Sequence, residues 1–164
     1  MDYKIIIAFV AFFLFLTPLT LEAQQAVFLV RHAEQAPEGE EPPLTEAGHR
    51  RAKTLAAMLK DSGINAIYTN GRVRSLQTAE PIAKGLNVES KSMPESDIDG
   101  LIRRLRTQHV ADRVLIVTGS MTIPHLLKAL GHSGDVVVTR FEYDNLFVII
   151  PKVDGGASVV RLRY

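Results

Sequence analysis

The chain has 164 residues, with 19 lysines and arginines against 18 aspartates and glutamates and a formal net charge of +1. That balance is too mild to imply a nucleic-acid partner or a charged membrane surface. Cysteine is absent from the sequence, which excludes disulfides, thiolate catalysis and thiolate metal sites.

Residues 1–23 differ from the rest. Lys4 precedes an unbroken apolar run from Ile5 to Leu16, Pro18 ends it, and Leu21-Glu22-Ala23 sets a small residue before a cut. This is the pattern of a secretory signal peptide. The run spans 12 residues, short of the roughly 20 that a membrane-crossing helix needs. The sequence therefore predicts cleavage after Ala23, export to the periplasm or beyond, and no stable membrane span afterwards. An uncleaved N-terminal anchor is the alternative. The remaining domain, 24–164, has 141 residues and a net charge of +2 once Asp2, Lys4 and Glu22 are removed. That length suffices for one sizeable core.

In chain order, Gln25 to Val30 reads as a strand whose continuous apolar run suggests burial on both faces. Pro37 to Pro43 is an acidic, proline-rich loop. Thr45 caps a helix with Ala52, Leu55, Ala56 and Leu59 on one face, closed by Gly63. Ile64 to Tyr68 is a second strand. Arg74 to Gly85 is helical, with Pro81 calling for a late start or a kink. Asn87 to Pro94 is a connection with a short strand, and Asp97 to Arg106 a helix with Leu101, Ile102 and Leu105 inward. Val114 to Val117 is a third buried strand. Ser120 and Thr122 offer N-caps, Pro124 suits a first helical turn, and the helix Thr122 to Leu130 is closed by Gly131. Val136 to Val138 is a short apolar stretch. Asn145 to Ile150 and Ser158 to Arg163 form a hairpin through Asp154-Gly155-Gly156.

This alternation predicts an α/β domain, a three-layer sandwich around a mainly parallel mixed sheet with a C-terminal hairpin. A flavodoxin-like doubly wound domain is the structural alternative. In such sheets the site lies beyond the carboxyl ends of the strands. Polar segments fall there at 31–34, 69–74 and 118–122. Arg31 offers a rigid, permanently charged fork for phosphate oxygens, and the His32 imidazole beside it can serve as base, acid or nucleophile. Arg72 or Arg74 would complete a two-sided clamp for a phosphoryl group. The plainer readings are a solvent-facing strand end and a solvated basic turn. The strand–glycine–helix layout of 114–124 aims backbone N–H groups beyond the strand end, a place suited to an anion.

Taken together, these segments resemble the histidine phosphatase superfamily, also called phosphoglycerate mutase-like. "FLVRHAEQ", "LTEAGHRRA", "IYTNGRVRSLQTAEPIA", "VLIVTGSMTIPHLLKALG" and "YDNLFVII" follow its order from about Val27 to Ile150. The short length is similar to the small bacterial branch that includes phosphohistidine phosphatases. The resemblance implies that His32 is a nucleophile that becomes phosphohistidine and is then hydrolysed. It implies that Arg31 binds the phosphoryl group, that Arg74 rather than Arg72 is the second clamp arginine, and that Gln77, Thr78, Gly119 and Ser120 border the substrate. It implies no metal and no cofactor.

The pattern also departs from the family. A second histidine is expected where Gly119 stands, and an asparagine where Met121 stands. Losing one preorganised donor costs on the order of 10²–10³ in rate. His125 lies about a turn further on. His49 and His132 read as surface residues, and His109 lies at the wrong end of the sheet. The resemblance further implies a carboxyl after the second-arginine helix to protonate the leaving group. Glu95, Asp97 and Asp99 are candidates, against the plainer reading of acids that favour a helix N-terminus. Glu34 orients Arg31 or faces solvent.

Three functions stay open. One is an exported phosphatase using His32, slowed by the missing histidine. The second is a non-catalytic relative that binds a phosphorylated or other anionic ligand. The third keeps the fold as an interaction surface. The partner in the first two is a phosphorylated small molecule or a phosphoprotein.

Overall fold

A computed structural model describes residues 25–164. The expected signal segment lies outside the described residues. Among them no helix is long and apolar enough to cross a membrane.

The elements alternate as the sequence suggests: β1 (Ala26–Arg31), α1 (Glu46–Leu59), β2 (Ala66–Thr69), α2 (Val73–Leu86), β3 (Ser90–Ser92), α3 (Ile98–Gln108), β4 (Arg113–Thr118), α4 (Thr122–Ala129), β5 (Asn145–Pro151) and β6 (Ala157–Arg163). They build one six-stranded sheet in the order β3-β2-β4-β1-β5-β6. The first four run parallel, and β5 and β6 join as an antiparallel hairpin.

The apolar runs of β1 and β4 are continuous because both strands are central. Val27, Leu29, Val114 and Ile116 face α3 and α4, where they meet Leu101, Leu105, Ile123 and Leu126. Val30, Leu115 and Val117 face α1 and α2, where they meet Leu55, Leu59, Ala79 and Ile82. Each fully buried side chain of this size contributes about 1.5–3 kcal/mol. The result is the expected three-layer α/β sandwich.

Local chemistry sets most ends. The Thr45 hydroxyl accepts from Gly48 N at 3.1 Å and caps α1. Gly131, at φ +96°, ends α4, and an added Cβ there would meet Gly155 O at 2.4 Å. The turn of the hairpin thus packs directly on the end of that helix.

Some ends differ from expectation. α1 stops at Leu59, and Gly63 (φ +71°) serves the following turn instead. β2 starts at Ala66, because Asn65 N first bonds Arg113 O at 3.0 Å. α2 runs unbroken from Val73 to Leu86 with Pro81 inside it. Its first turn closes before the proline, through Ser75 N and Leu76 N on Arg72 O. Its buried face of Ser75, Thr78, Ala79 and Ile82 spans both halves, so packing overrides the lost N–H.

Gly48 fixes how closely α1 approaches the active strand end. A Cβ there would lie 2.2 Å from Glu34 O, and that carbonyl is held by Thr45 N at 2.9 Å. Gly48→Ala is expected to cost about 1–3 kcal/mol as overpacking, lowering Tm by roughly 3–10 °C. A thermal melt with unchanged Tm would contradict this close approach.

Candidate functional site

β1, β2 and β4 end side by side, and their carboxyl ends bring together the segments expected to form the site. Arg31 closes β1 opposite Thr118 of β4. The chain then turns, and His32 N donates to Thr118 O at 2.9 Å.

His32 is 3% exposed. Its Nδ1 lies 2.9 Å from Ala33 O. A carbonyl only accepts, so Nδ1 carries the proton and Nε2 keeps a free lone pair. Burial pushes the imidazole pKa down to about 4, the Ala33 carbonyl opposes this, and the charges of Arg31 and Arg74 add to the lowering. The ring is therefore neutral across the ordinary pH range, as a nucleophile requires. The sign for stability follows. Between pH 6.5 and 4 the unfolded chain binds the proton and the folded chain does not, so stability falls as pH falls through that window, by about 3 kcal/mol in full. An NMR titration of the His32 ring is expected to show a midpoint near 4. A midpoint at the ordinary 6.5 would contradict the burial argument.

Arg31 is 6% exposed. Its Nη1 donates to Thr139 O and Glu142 O, each at 3.3 Å, and its Cζ stacks 4.0 Å from the Tyr143 ring centroid. The same ring lies 6.1 Å from that of His32. Burial lowers the pKa of Arg31, but a guanidinium stays charged at any accessible pH. Arg74, in the first turn of α2, faces the same site electrostatically: its charge lowers the pKa of both His32 and Arg31. The Nε atoms of both arginines are buried with no protein partner. Arg31, His32 and Arg74 therefore cluster, which a flavodoxin-like reading would not give. Arg72 is engaged elsewhere, in an ion pair with Glu41.

Several expected site residues are tied to neighbouring segments. Thr78 accepts from Ala33 N at 3.0 Å and donates to Arg74 O at 2.7 Å, tying the loop after His32 to α2. Gln77 Oε1 accepts from Leu44 N at 2.7 Å. Asp97 is the N-cap of α3, accepting from Gly100 N at 3.0 Å. Asp99 lies in the first turn of the same helix. Glu34 pairs with Arg51, Nη2 to Oε1 at 2.7 Å, rather than with Arg31.

The turn 118–122 holds an anion of the protein's own. Glu95 Oε1 accepts from Asn70 Nδ2 at 2.8 Å, Thr118 Oγ1 at 3.2 Å and Gly119 N at 3.2 Å. Partial burial raises the carboxyl's pKa, but hydrogen bonds from Asn70, Gly119, Thr118 and Thr122 outweigh it and hold the group below its usual range. Glu95 is thus ionised at neutral pH and is a poor proton donor. A Cβ at Gly119 would lie 2.9 Å from its Oε1, so the carboxylate reaches into the space a side chain at 119 would take. Neither Ser120 nor Thr122 caps α4 as expected. The N-cap is Met121, with no side-chain bond and 84% exposed, and Thr122 N donates to Gly119 O at 3.2 Å. Ser120 is partly buried beside it.

No other histidine replaces the one expected at 119. His125 is exposed, and its Nδ1 donates to Met121 O at 2.9 Å. His109 is buried near the opposite end of β4, between Asp112 Oδ2 at 2.7 Å and Tyr68 Oη at 2.9 Å. His49 is exposed and His132 partly so.

Sequence reasoning missed Tyr143 and the carbonyls that hold Arg31. The signal was the segment just before β5. Because β5 runs antiparallel to β1, with Leu146 opposite Val30, residues 143–145 must lie beside Arg31. Asn145 there is fully buried, and its Nδ2 has no partner.

A family model described as "Histidine phosphatase superfamily (branch 1)" matches residues 27–97, which carry Arg31, His32 and Arg74. The match places the signature of the histidine phosphatase superfamily on the first half of the domain. Solved structures of that fold agree over most of the chain. The protein histidine phosphatase SixA complexed with tungstate superposes with a TM-score of 0.71 at 20% identity, covering 84% of this chain and 96% of that one. The alpha-ribazole phosphatase of Shigella flexneri gives 0.68 at 14%, covering 85% and 96%. A mycobacterial glucosyl-3-phosphoglycerate phosphatase gives 0.66 at 12%, covering 85% and 98%. Identities this low show the phosphoglycerate mutase-like fold. A curated protein of different description, the 23S rRNA (guanosine-2'-O-)-methyltransferase RlmB of Blochmanniella floridana, is 27% identical over 114 residues, 66% of this chain and 45% of that protein. The chain spans less than half the length of that relative.

Proposed function

We propose that this protein is a histidine phosphatase superfamily member, a slow, exported phosphatase that hydrolyses phosphomonoesters or phosphoramidates through a phosphohistidine on His32. One observation carries the reading: His32 is neutral, with Nε2 free, in the field of two arginines whose buried Nε donors lack protein acceptors. Those donors suit the oxygens of a phosphoryl group. Nε2 attacks phosphorus, the bond to the leaving group breaks with its electron pair, and solvent supplies the proton that the ionised Glu95 does not. Water then attacks phosphorus, the P–N bond breaks, its pair returns to Nε2, and inorganic phosphate leaves. The structural neighbours named above are phosphatases, which supports a phosphorylated substrate, small molecule or protein. Residues 1–23 act as an export signal in this reading and deliver the domain 24–164 to the periplasm or medium, or else anchor it there.

A second reading is a pseudophosphatase that binds a phosphorylated or anionic ligand without turnover. Gly119 favours it, since its N–H is spent on Glu95 and no imidazole stands there. Hydrolysis of an activated aryl phosphate, measured beside equilibrium binding of inorganic phosphate, separates the two. Turnover with binding supports the phosphatase, and binding without turnover supports the second reading. Loss of both would sink both.

A further inference from the structure

Glu95 is an unusual neighbour for a phosphoryl site. The carboxylate bridges the ends of β2 and β4 and the start of α4 through Asn70, Thr118, Gly119 and Thr122. Thr118 stands opposite Arg31 in the sheet, and His32 N bonds the Thr118 carbonyl, so Glu95 is anchored one strand away from the nucleophile. Its charge reaches His32 and raises that ring's pKa, against the dominant lowering by burial.

The nearby charges are otherwise paired. Arg72, which also feels the charge of Glu95, pairs with Glu41, Arg51 with Glu34, and Arg161 and Arg163 with Glu142. None of the ion pairs among the described residues includes Glu95. Arg31 and Arg74 together match the two charges of a bound phosphoryl dianion. The Glu95 carboxylate is then left with no ion pair of its own, sharing only the more distant field of Arg72. It is also exposed, open to a group on the substrate rather than sealed in the core.

We propose that Glu95 is a specificity-determining residue that selects phosphorylated amines, molecules carrying a fixed positive charge a few atoms beyond the bridging oxygen. The inference rests on the reading of the His32 site as a phosphoryl site and adds the class of substrate. A cation so placed restores local neutrality, whereas a neutral or anionic substituent leaves Glu95 opposed to the phosphoryl charge. Because Glu95 is solvent-exposed, the preference is several-fold rather than absolute.

Choline phosphate and 3,3-dimethylbutyl phosphate have nearly the same shape and differ by one fixed charge. Their binding to the purified protein is measured by calorimetry at low salt, with inorganic phosphate as reference. Choline phosphate is expected to bind about three- to tenfold more tightly. In Glu95→Gln the ratio is expected to fall to near one, with inorganic phosphate bound more tightly than by the native chain. In 1 M salt the native ratio is also expected to approach one, since screening there acts within about 3 Å. This arm needs no variant to fold. Equal affinities in the native chain, or a ratio unchanged in Glu95→Gln, would overturn the proposal while leaving the phosphoryl site intact. Failure to bind inorganic phosphate would instead overturn the underlying reading, and the proposal with it.

Discussion

His32→Ala is expected to lower kcat/KM for an aryl phosphate by about 10³-fold or more while leaving the affinity for inorganic phosphate within a few-fold. The split follows from the division of labour at the strand end. Arg31 is held by the Thr139 and Glu142 carbonyls and the Tyr143 ring, and Arg74 is carried by α2. Neither depends on the imidazole for its place, so the anion clamp survives its loss. The proposed nucleophile does not, because His32 is the one histidine whose ring feels the charges of both arginines. His125 is bonded back to Met121 and His109 lies at the far end of β4. Steady-state kinetics beside phosphate binding check the split. Turnover that persists in His32→Ala would mean that water attacks the substrate directly.

Gly119→His is expected to raise the rate by about 10²–10³-fold, the usual worth of one preorganised donor aimed at developing charge. The residue that opposes the new side chain is Glu95, whose Oε1 lies 2.9 Å from the added Cβ. That atom ends a flexible side chain, so it can swing aside at the cost of its bonds to Asn70, Thr118 and Gly119. Glu95→Gln combined with Gly119→His is expected to gain at least as much, since the displaced group no longer carries a charge. Progress curves on an aryl phosphate measure both variants. A rate unchanged or lower in both, with the fold intact by circular dichroism, would mean that the site works without a donor at 119.

The fold was legible where local chemistry and burial agree. Continuous apolar runs at Val27 to Val30 and Val114 to Val117 mark the central strands because both faces of each are covered. Thr45, Gly131 and Asp154-Gly155-Gly156 mark ends and turns through their own backbone preferences. Pro81 misled because its helix is held by a buried face rather than by propensity. Gly63 misled because it serves the turn after the helix, not the helix end.

At the site, His32, Arg31 and Arg74 could be read from strand ends, since side chains there converge by topology. The partners of those groups could not. Gln77 and Thr78, expected to border the substrate, bond Leu44 N and Ala33 N, partners 33 and 45 residues away. Glu95 reaches its seat from a loop 24 residues before Gly119, and Arg31 is held by a carbonyl 111 residues away. Contacts of that span leave no local pattern in the chain. The strand–glycine–helix turn did signal an anion, and the anion is a side chain of the same protein.

His32 is proposed to take the phosphoryl group. Rapid mixing with an aryl phosphate, quenching in base and peptide mass spectrometry test it most directly. One acid-labile phosphoryl group is expected on the peptide that contains His32, absent in His32→Ala. Hydrolysis with no phosphoryl group on that peptide, or with one on any other residue, would contradict it.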